Sequence, residues 1–279
     1  MSSTGIIGFV LIVVNFLVSY KGFNNRAFFD NYKFDVDSLL LRKDYKRLVT
    51  GAFLHVNWLH LIFNMLALYF FSGAVEITLG ITGFLAVYFG SLLGGHLLSL
   101  FIHRHDSGYS AVGASGAVGG VMFAGIALFP AIPISLFFIP VPGWLFGLAY
   151  TIFSIYGIKS RKDNIGHDAH LGGSLIGMVV AIIMQPSALL NNYWAILLIA
   201  VPAIAFIVFI ILKPHYLMVD NFFYKHNRHH YSIDHKYNEE KYDRQKEVDR
   251  ILEKIHKKGM KSLTQKERDT LNEHSKRMS

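Results

Sequence analysis

The sequence predicts an all-α protein that crosses the membrane several times. Hydrophobic residues make up 52% of the 279 positions and charged residues only 16%, a balance typical of polytopic membrane proteins rather than of soluble domains. Apolar runs of nearly membrane-spanning length recur along the chain. The charged residues concentrate in one long loop and in a C-terminal tail, so the remaining chain is apolar enough to lie in a bilayer.

Seven apolar segments carry this prediction, each close to the roughly 20 residues that cross the hydrocarbon core untilted. They occupy residues 5–20, 58–79, 84–102, 111–129, 144–158, 169–184 and 193–212. The first segment lacks the basic stretch and the small-residue cleavage site of a signal peptide. We therefore interpret it as a helix and expect seven membrane-spanning helices.

A polar loop of 36 residues, 21–56, separates the first two segments. It is too long and too aromatic for a simple linker, and we expect it to pack on the membrane surface. The chain after Leu212 holds 16 of the 27 basic residues, which indicates a solvated module.

Within this tail the pattern predicts a helical hairpin. Apolar residues recur at helical spacing, a glycine is placed to end the first helix, and "TQKE" is a capping box that opens a second helix. The residues concerned are Val248, Ile251, Leu252, Ile255, Gly259 and Thr264 to Glu267.

Polar residues inside three apolar segments are candidate functional residues, because polar groups are costly in hydrocarbon. A single membrane Ser, His or Asn usually has a structural role in helix packing. Together, however, a serine, a histidine and a pair of hydrogen-bond donors on three helices are the components of acyl transfer. The three sets, in these segments or directly before them, are His55, His60 and Asn64; Ser115 with the flanking Gly113 and Gly116; and His167 and His170.

Small-residue stripes predict that the fourth and sixth segments pack closely. Ala169, Gly173 and Gly177 repeat every four residues, as do Gly116 and Gly120, and such stripes let helix backbones approach each other. We expect this contact to bring the Ser115 hydroxyl to the His170 imidazole. The absence of cysteine excludes a thiolate nucleophile and a cysteine-ligated zinc.

The set "HLIFN", "GASG" and "AHLGG" on three apolar blocks resembles the rhomboid family of intramembrane serine proteases, over about residues 45–184. Further residues that match the family pattern are Arg47, Thr50, His55, Gly73, Glu76 and Gly80. The resemblance implies a six-helix core, within residues 1–190, and a seventh transmembrane helix, within 191–213. The charged chain over 214–279 is the expected soluble tail. The resemblance also implies single-pass transmembrane proteins as substrates in the lipid bilayer.

The same resemblance implies the roles of the site residues. Ser115 is the expected nucleophile and His170 the expected general base, without a carboxylate partner. An oxyanion site is implied from the Ser115 N–H with the side chains of His60 and Asn64. Gly113, Gly116, His55, Arg47, Glu76, Gly173 and Gly177 are expected to support the site. No metal, cofactor or nucleic acid is expected, and the sequence does not indicate an oligomeric state.

Two positions depart from the family pattern. Many members carry an aromatic residue four places after the serine, which packs beneath the histidine, and here that place is Gly119. Phe123, one helical turn further, is the candidate to replace it. The tryptophan that usually precedes the loop arginine is Lys46.

Membrane orientation has two opposed indications. Lys and Arg number 7 in the first loop, 1 in the third, 3 in the fifth and 16 in the tail, which would place these loops in the cytoplasm by the positive-inside tendency. The resemblance places the same side outside. Following the resemblance, we expect the cell membrane of a bacterium, with the site open to the extracytoplasmic face.

Two other functions fit parts of the sequence. An inactive rhomboid-like protein would bind membrane proteins without cutting them, although Ser115 and His170 are both present. A histidine-ligated membrane metalloenzyme would use "HNRHH", His226 to His230, with His55, His60, His167 and His170 as further candidate ligands.

Overall fold

The computed structural model describes residues 5–136, 139–160 and 165–213, and in the tail positions 248, 250, 251, 254, 255, 263–265, 267 and 271. The chain forms two compact units, Met1–Tyr224 and Lys225–Ser279. The first unit contains all the apolar segments and every candidate residue of the proposed serine site, whereas His226 to His230 belong to the second unit.

The first unit is mostly helical, as predicted. Its helices are α1 Ile6–Asn24, α2 Arg26–Tyr32, α3 Val36–Leu40, α4 Arg47–Thr50, α5 Trp58–His103, α6 Ser115–Leu128, α7 Gly143–Ser160, α8 His167–Met184 and α9 Ser187–Leu212, with a 3-10 turn at Gly51–Phe53. Two small antiparallel pairs depart from a purely helical fold. β1 Phe34–Asp35 pairs with β2 Ser110–Ala111, and β3 Pro133–Leu136 pairs with β4 Ile139–Pro142.

Four of the described helices, α1, α5, α8 and α9, are long and apolar enough to cross a membrane. Apolar side chains on their outer surfaces, such as Phe9, Leu59, Ile183 and Leu197, are exposed, as expected for side chains that face lipid. α6 is apolar but only 14 residues long. It is buried from Gly116 to Leu128, the pattern of a central helix surrounded by others.

Helix α5 is interrupted at Gly80. Its 46 residues would extend about 69 Å at 1.5 Å per residue, more than twice the ~30 Å hydrocarbon core. Gly80 has φ 70° and ψ 176°, a conformation that is essentially restricted to glycine. The break separates 58–79 from 81–103, close to the second and third apolar segments of the sequence.

Helix α9 begins at Ser187, earlier than the apolar segment 193–212, and has a non-helical residue at Asn192. The Asn192 amide donates hydrogen bonds to the carbonyl oxygens of Ala127 and Leu128, at 2.9 and 3.0 Å. These carbonyls lie at the C-terminal end of α6, where the helix itself offers no partner. Asn192 therefore joins the last helix to the central one.

The first loop is folded rather than extended. Arg47 is buried and donates from Nη1 to the carbonyl oxygens of Asp30 and Lys33, both at 2.9 Å, and from Nε to the Asp44 carboxylate at 3.0 Å. Thr50 donates to the Tyr32 carbonyl at 2.7 Å. Arg47 thus anchors this loop although Lys46 replaces the tryptophan of the family pattern.

Glu76 connects α5 to the start of α1. Its carboxylate accepts hydrogen bonds from the backbone N–H groups of Ile7 and Gly8 at about 3.1 Å. A carboxylate at this end of a helix satisfies otherwise unpaired donors and complements the helix dipole. Glu76 therefore supports the fold, at a distance from the candidate catalytic residues along α5.

In the second unit, the predicted capping box is confirmed. The Thr264 N–H donates to the Glu267 carboxylate at 2.8 Å, and the Glu267 N–H donates to Thr264 Oγ1 at 3.3 Å. Val248, Ile251 and Leu263 are buried. Leu252, Gly259 and His226 to His230 lie outside the described residues.

Candidate active site

Ser115 is the first residue of α6, directly after a tight turn at Gly113. Gly113 has φ 134°, and a Cβ atom there would lie 2.7 Å from His60 Cε1 and 3.7 Å from Ser115 Oγ. The Gly113 N–H donates to the Gly51 carbonyl at 3.1 Å. This position requires glycine for its conformation and for the closeness of the imidazole.

His170 lies in the first turn of α8, and its Nε2 is 2.6 Å from Ser115 Oγ. The predicted close approach of the two helices is confirmed. A Cβ atom at Gly173 would overlap the Gly116 carbonyl, and one at Gly177 would overlap the Gly120 carbonyl. We call this α6–α8 contact at Gly116, Gly120, Gly173 and Gly177 the glycine seam. It places a base within hydrogen-bond distance of the hydroxyl.

His60 and Asn64 share one face of α5, but they are placed differently. The His60 ring is directed at the Gly113 turn, with Nε2 2.9 Å from the position of a Cβ atom there. Its Nδ1 is buried without a hydrogen-bond partner among the described residues. Asn64 Nδ2 donates to the His60 carbonyl at 2.9 Å, which leaves its second amide hydrogen for another acceptor.

His55 joins Ser19 on α1 to Ala114, in the turn directly before Ser115, through two hydrogen bonds. We call this the Ser19–His55–Ala114 chain. Ser19 Oγ is 2.8 Å from His55 Nδ1 and 2.9 Å from the Phe53 carbonyl. The Ala114 N–H donates to His55 Nε2 at 3.4 Å. Since a carbonyl can only accept, Ser19 gives its proton to Phe53 and must accept one from Nδ1. His55 is therefore neutral, with its proton on Nδ1.

Ser19 was not among the residues expected at the site. Ser19 belongs to the buried face of α1, together with Gly8, Leu11, Asn15 and Gly22. The spacing of these residues by three or four is the available signal, because polar and small residues on one face of an apolar helix mark a packing face. Asn15 on the same face contacts the Tyr88 hydroxyl at 3.2 Å.

His167 packs between helices. A Cβ atom at Gly157 of α7 would overlap the His167 ring, and the Phe153 ring lies edge-on to it with centroids 4.9 Å apart. The neighbouring Asp168 directs its carboxylate towards His103 Nε2, at 3.4 Å. The His167 ring also lies edge-on to the His170 ring, with centroids 5.9 Å apart, so His167 packs against the expected general base as well as between the helices.

The histidines do not assemble a metal centre in the described part of the chain. Among those residues, no group of three His, Asp or Glu side chains is arranged to hold a metal ion. His55 and His60 are adjacent, with ring centroids 4.9 Å apart, and His170 contacts Ser115 instead. The described histidines therefore do not provide the ligands that the metalloenzyme hypothesis requires.

Similarity to known proteins covers the same region. Residues 42–187 match a family model described as Rhomboid domain, and residues 231–277 match a family of unknown function, DUF6576. The chain is 30% identical over 190 residues to RHOMBOID-like protein 12, mitochondrial, of Arabidopsis thaliana, covering 62% of this chain and 56% of that protein.

Two further relatives come from yeast and from a bacterium. Rhomboid protein 1, mitochondrial, of Saccharomyces cerevisiae is 37% identical over 150 residues, which are 50% of this chain and 43% of that protein. Rhomboid protease GluP of Bacillus subtilis is 31% identical over 145 residues, 52% of this chain and 27% of that protein. The chain thus spans about half the length of the two mitochondrial relatives.

Proposed function

The chain belongs to the rhomboid family, and from this premise we propose that it is an intramembrane serine endopeptidase with a Ser115–His170 dyad. One observation carries the proposal, the 2.6 Å contact between Ser115 Oγ and His170 Nε2. A serine hydroxyl is a weak nucleophile until a base accepts its proton, and an imidazole is suited to do so near neutral pH.

In the proposed reaction, Ser115 Oγ attacks the carbonyl carbon of a substrate peptide while its proton passes to His170 Nε2. The carbonyl oxygen becomes an oxyanion, to which the Ser115 N–H and His60 would donate hydrogen bonds, with the second amide hydrogen of Asn64 as a further donor. The tetrahedral intermediate collapses as His170 returns the proton to the leaving amine. Water then hydrolyses the acyl-enzyme by the same steps, again with His170 as base.

We also propose the membrane architecture expected from the sequence. Residues 1–190 form a six-helix core, 191–213 a seventh span and 214–279 the soluble tail. The break at Gly80 supports two crossings within α5, and the burial of α6 supports its place at the centre. The join of Asn192 to the end of α6 supports a last helix packed on this core.

The chain is an integral membrane protein by its family and its apolar helices. The first two relatives are named mitochondrial and the third is bacterial, so the relatives do not support the expected bacterial cell membrane in particular. Ser115 and His170 both lie at helix N-terminal ends, which favours a site near one membrane face. We retain the extracytoplasmic opening and single-pass transmembrane substrates as parts of the proposal.

Cleavage by the reconstituted protein tests the mechanism. The full chain in proteoliposomes, offered a panel of single-pass transmembrane proteins, is compared with Ser115→Ala, His170→Ala and the double variant. Each single variant should abolish cleavage, and the double variant should be no worse, because members of one catalytic unit do not contribute additively. Ser110→Ala, an exposed serine near the site, is the matched control.

Labelling and chelation separate the proposal from the alternatives. A fluorophosphonate should modify wild type and Ser110→Ala but not Ser115→Ala. A folded protein that neither reacts nor cleaves would favour the inactive binding protein. Chelators should leave cleavage unchanged, whereas reversible loss of activity with EDTA would favour the metalloenzyme. Turnover by Ser115→Ala would exclude the serine mechanism.

A further inference from the structure

In many rhomboids an aromatic residue four places after the serine packs beneath the catalytic histidine. In this chain a side chain from a different helix, α7, occupies that place. Position 119 on α6 is glycine, and a Cβ atom there would lie 3.6 Å from Tyr150 Oη and 3.0 Å from Ser174 Oγ. Tyr150 belongs to α7. The Tyr150 side chain therefore occupies the space next to Gly119 that a larger residue at that position would enter.

The Tyr150 ring lies against the His170 ring. Their centroids are 6.0 Å apart and their planes differ by 24°, an offset stack within the usual range for aromatic pairs. Phe123, the expected replacement, packs edge-on against Tyr150, with centroids 5.5 Å apart and an angle of 61°. Phe123 thus supports the ring that stacks on the imidazole.

Tyr150 is itself held on a second side. Phe146, one turn earlier on α7, stacks on it with centroids 6.2 Å apart and planes 26° apart. The column of Phe146, Tyr150 and His170, braced by Phe123, restricts rotation of the tyrosine ring. A ring fixed in this way can fix the imidazole plane against which it lies.

We propose that Tyr150 is the positioning residue for the base His170, and that α7 thereby supplies a third part of the catalytic arrangement. The proposal rests on the proposed protease function. Stacking holds the imidazole in the plane that presents Nε2 to Ser115 Oγ, and the electron-rich ring face stabilises the imidazolium that forms when the serine proton is accepted. Both effects act on the chemical step and leave substrate binding unchanged.

Kinetics of four proteins in proteoliposomes test the proposal: the full-length wild type, Tyr150→Ala, Tyr150→Phe and Tyr156→Ala. Tyr156 lies on the same helix and is 61% exposed, so its variant is the matched control. Tyr150→Ala should lower kcat about 10- to 100-fold with KM nearly unchanged, because orientation is lost and binding is not. Tyr150→Phe keeps the ring and should retain kcat, as should Tyr156→Ala.

A second variant separates positioning from folding. Tyr150→Leu keeps apolar volume at the helix contact but removes the ring, so it should unfold at nearly the wild-type temperature while showing the same loss of kcat. The ionisation midpoint of its kcat/KM profile should also be displaced. Wild-type kcat and an unchanged profile in Tyr150→Leu would overturn the proposal.

A spectroscopic measurement keeps this inference distinct from the proposed function. In protein labelled with ¹⁵N-histidine, the His170 signals, assigned from their absence in His170→Ala, should shift in Tyr150→Leu and stay in place in Tyr156→Ala. This result does not depend on cleavage. A shift without any protease activity would refute the proposed function alone, and unchanged His170 signals would refute the stacking role.

Discussion

At the scale of single residues, His60 and Asn64 are expected to contribute differently. Asn64 already donates one amide hydrogen to its own helix, so it can offer at most one to an oxyanion. Asn64→Ala should lower kcat by roughly 10- to 1000-fold with little change in KM, since that interaction forms mainly in the transition state. Steady-state kinetics on a transmembrane substrate measure this.

His60→Ala should reduce both kcat and thermal stability. Its ring fills the space beside the Gly113 turn, so its removal leaves a cavity as well as a missing donor. A fully active Asn64→Ala beside an inactive His60→Ala would assign the oxyanion site to His60 and the Ser115 N–H.

The Ser19–His55–Ala114 chain predicts acid sensitivity. Burial lowers the pKa of His55 from 6.5 to about 3, and the nearby His60 adds to the effect. Between about pH 6.5 and pH 3 the unfolded chain binds a proton at this residue that the folded chain does not, so stability falls as the pH falls. The expected slope from this group is about 1.4 kcal/mol per pH unit.

His55→Gln isolates this contribution, because glutamine does not titrate. Thermal unfolding in detergent from pH 7 to pH 4 should show a weaker pH dependence in the variant than in wild type. If thermal stability depended on pH equally in wild type and His55→Gln, His55 would titrate alike in the folded and unfolded protein. That result would contradict the neutral His55 inferred from its contacts with Ser19 and Ala114.

The candidate site could be predicted from the sequence to different depths. Ser115, His170 and the glycine seam follow from residue type, spacing and resemblance, and the structure brings them together. Ser19 and Tyr150 could not be assigned in this way, because the contact of each depends on how separate helices pack. The same reason explains why Phe123 was expected against His170 but supports Tyr150 instead.

At the scale of helices, the glycine seam determines the separation of nucleophile and base. A methyl group at Gly173 would overlap the Gly116 carbonyl, so Gly173→Ala should push α8 away from α6. We expect a loss of about 1–3 kcal/mol in stability, as for other overpacked sites, and a loss of Ser115 labelling. Thermal unfolding and fluorophosphonate labelling measure the two effects.

Gly90→Ala is the matched control for the seam. A Cβ atom at Gly90 would lie 3.6 Å from Ile176 and Val180, an ordinary van der Waals distance between α5 and α8. This variant should keep wild-type stability and labelling. Equal tolerance at both glycines would mean that α8 can shift without disturbing the dyad.

The sequence predicted the apolar segments better than it predicted their ends. Hydropathy marks what lies in lipid, so 58–79 and 81–103 were expected with nearly correct bounds. The start of α9 at Ser187 was missed because Asn191 and Asn192 interrupt the apolar run, whereas Asn192 is used to bind the end of α6. The short strands were missed because each one forms by pairing with another segment, and the residue pattern within two to four residues does not indicate a strand.

At the scale of the whole chain, the tail unit should respond to acid separately from the membrane unit. Hydrogen bonds from Lys254 and from the Thr264 backbone lower the pKa of Glu267 from 4.5 to about 2. The helices of a peptide covering residues 225–279 should therefore lose stability as the pH falls from about 4.5 to about 2. Circular dichroism measures this loss.

Glu267→Gln removes the ionisable group and should flatten the pH dependence of the peptide. Thr264→Ala should weaken the helix by about 1 kcal/mol at neutral pH, the usual effect of a lost N-cap. A peptide without helix at any pH would show that residues 225–279 do not fold alone.

The convergence of two helix beginnings has an electrostatic consequence for the whole molecule. α6 starts at Ser115 and α8 at His167, so the positive ends of two helix macrodipoles, each equivalent to roughly half an elementary charge, lie beside the dyad. Their combined field favours negative charge at this point between apolar helices. Compounds that form a negatively charged tetrahedral adduct with Ser115, such as boronic acids, should therefore bind more tightly than compounds of the same shape whose adduct is neutral.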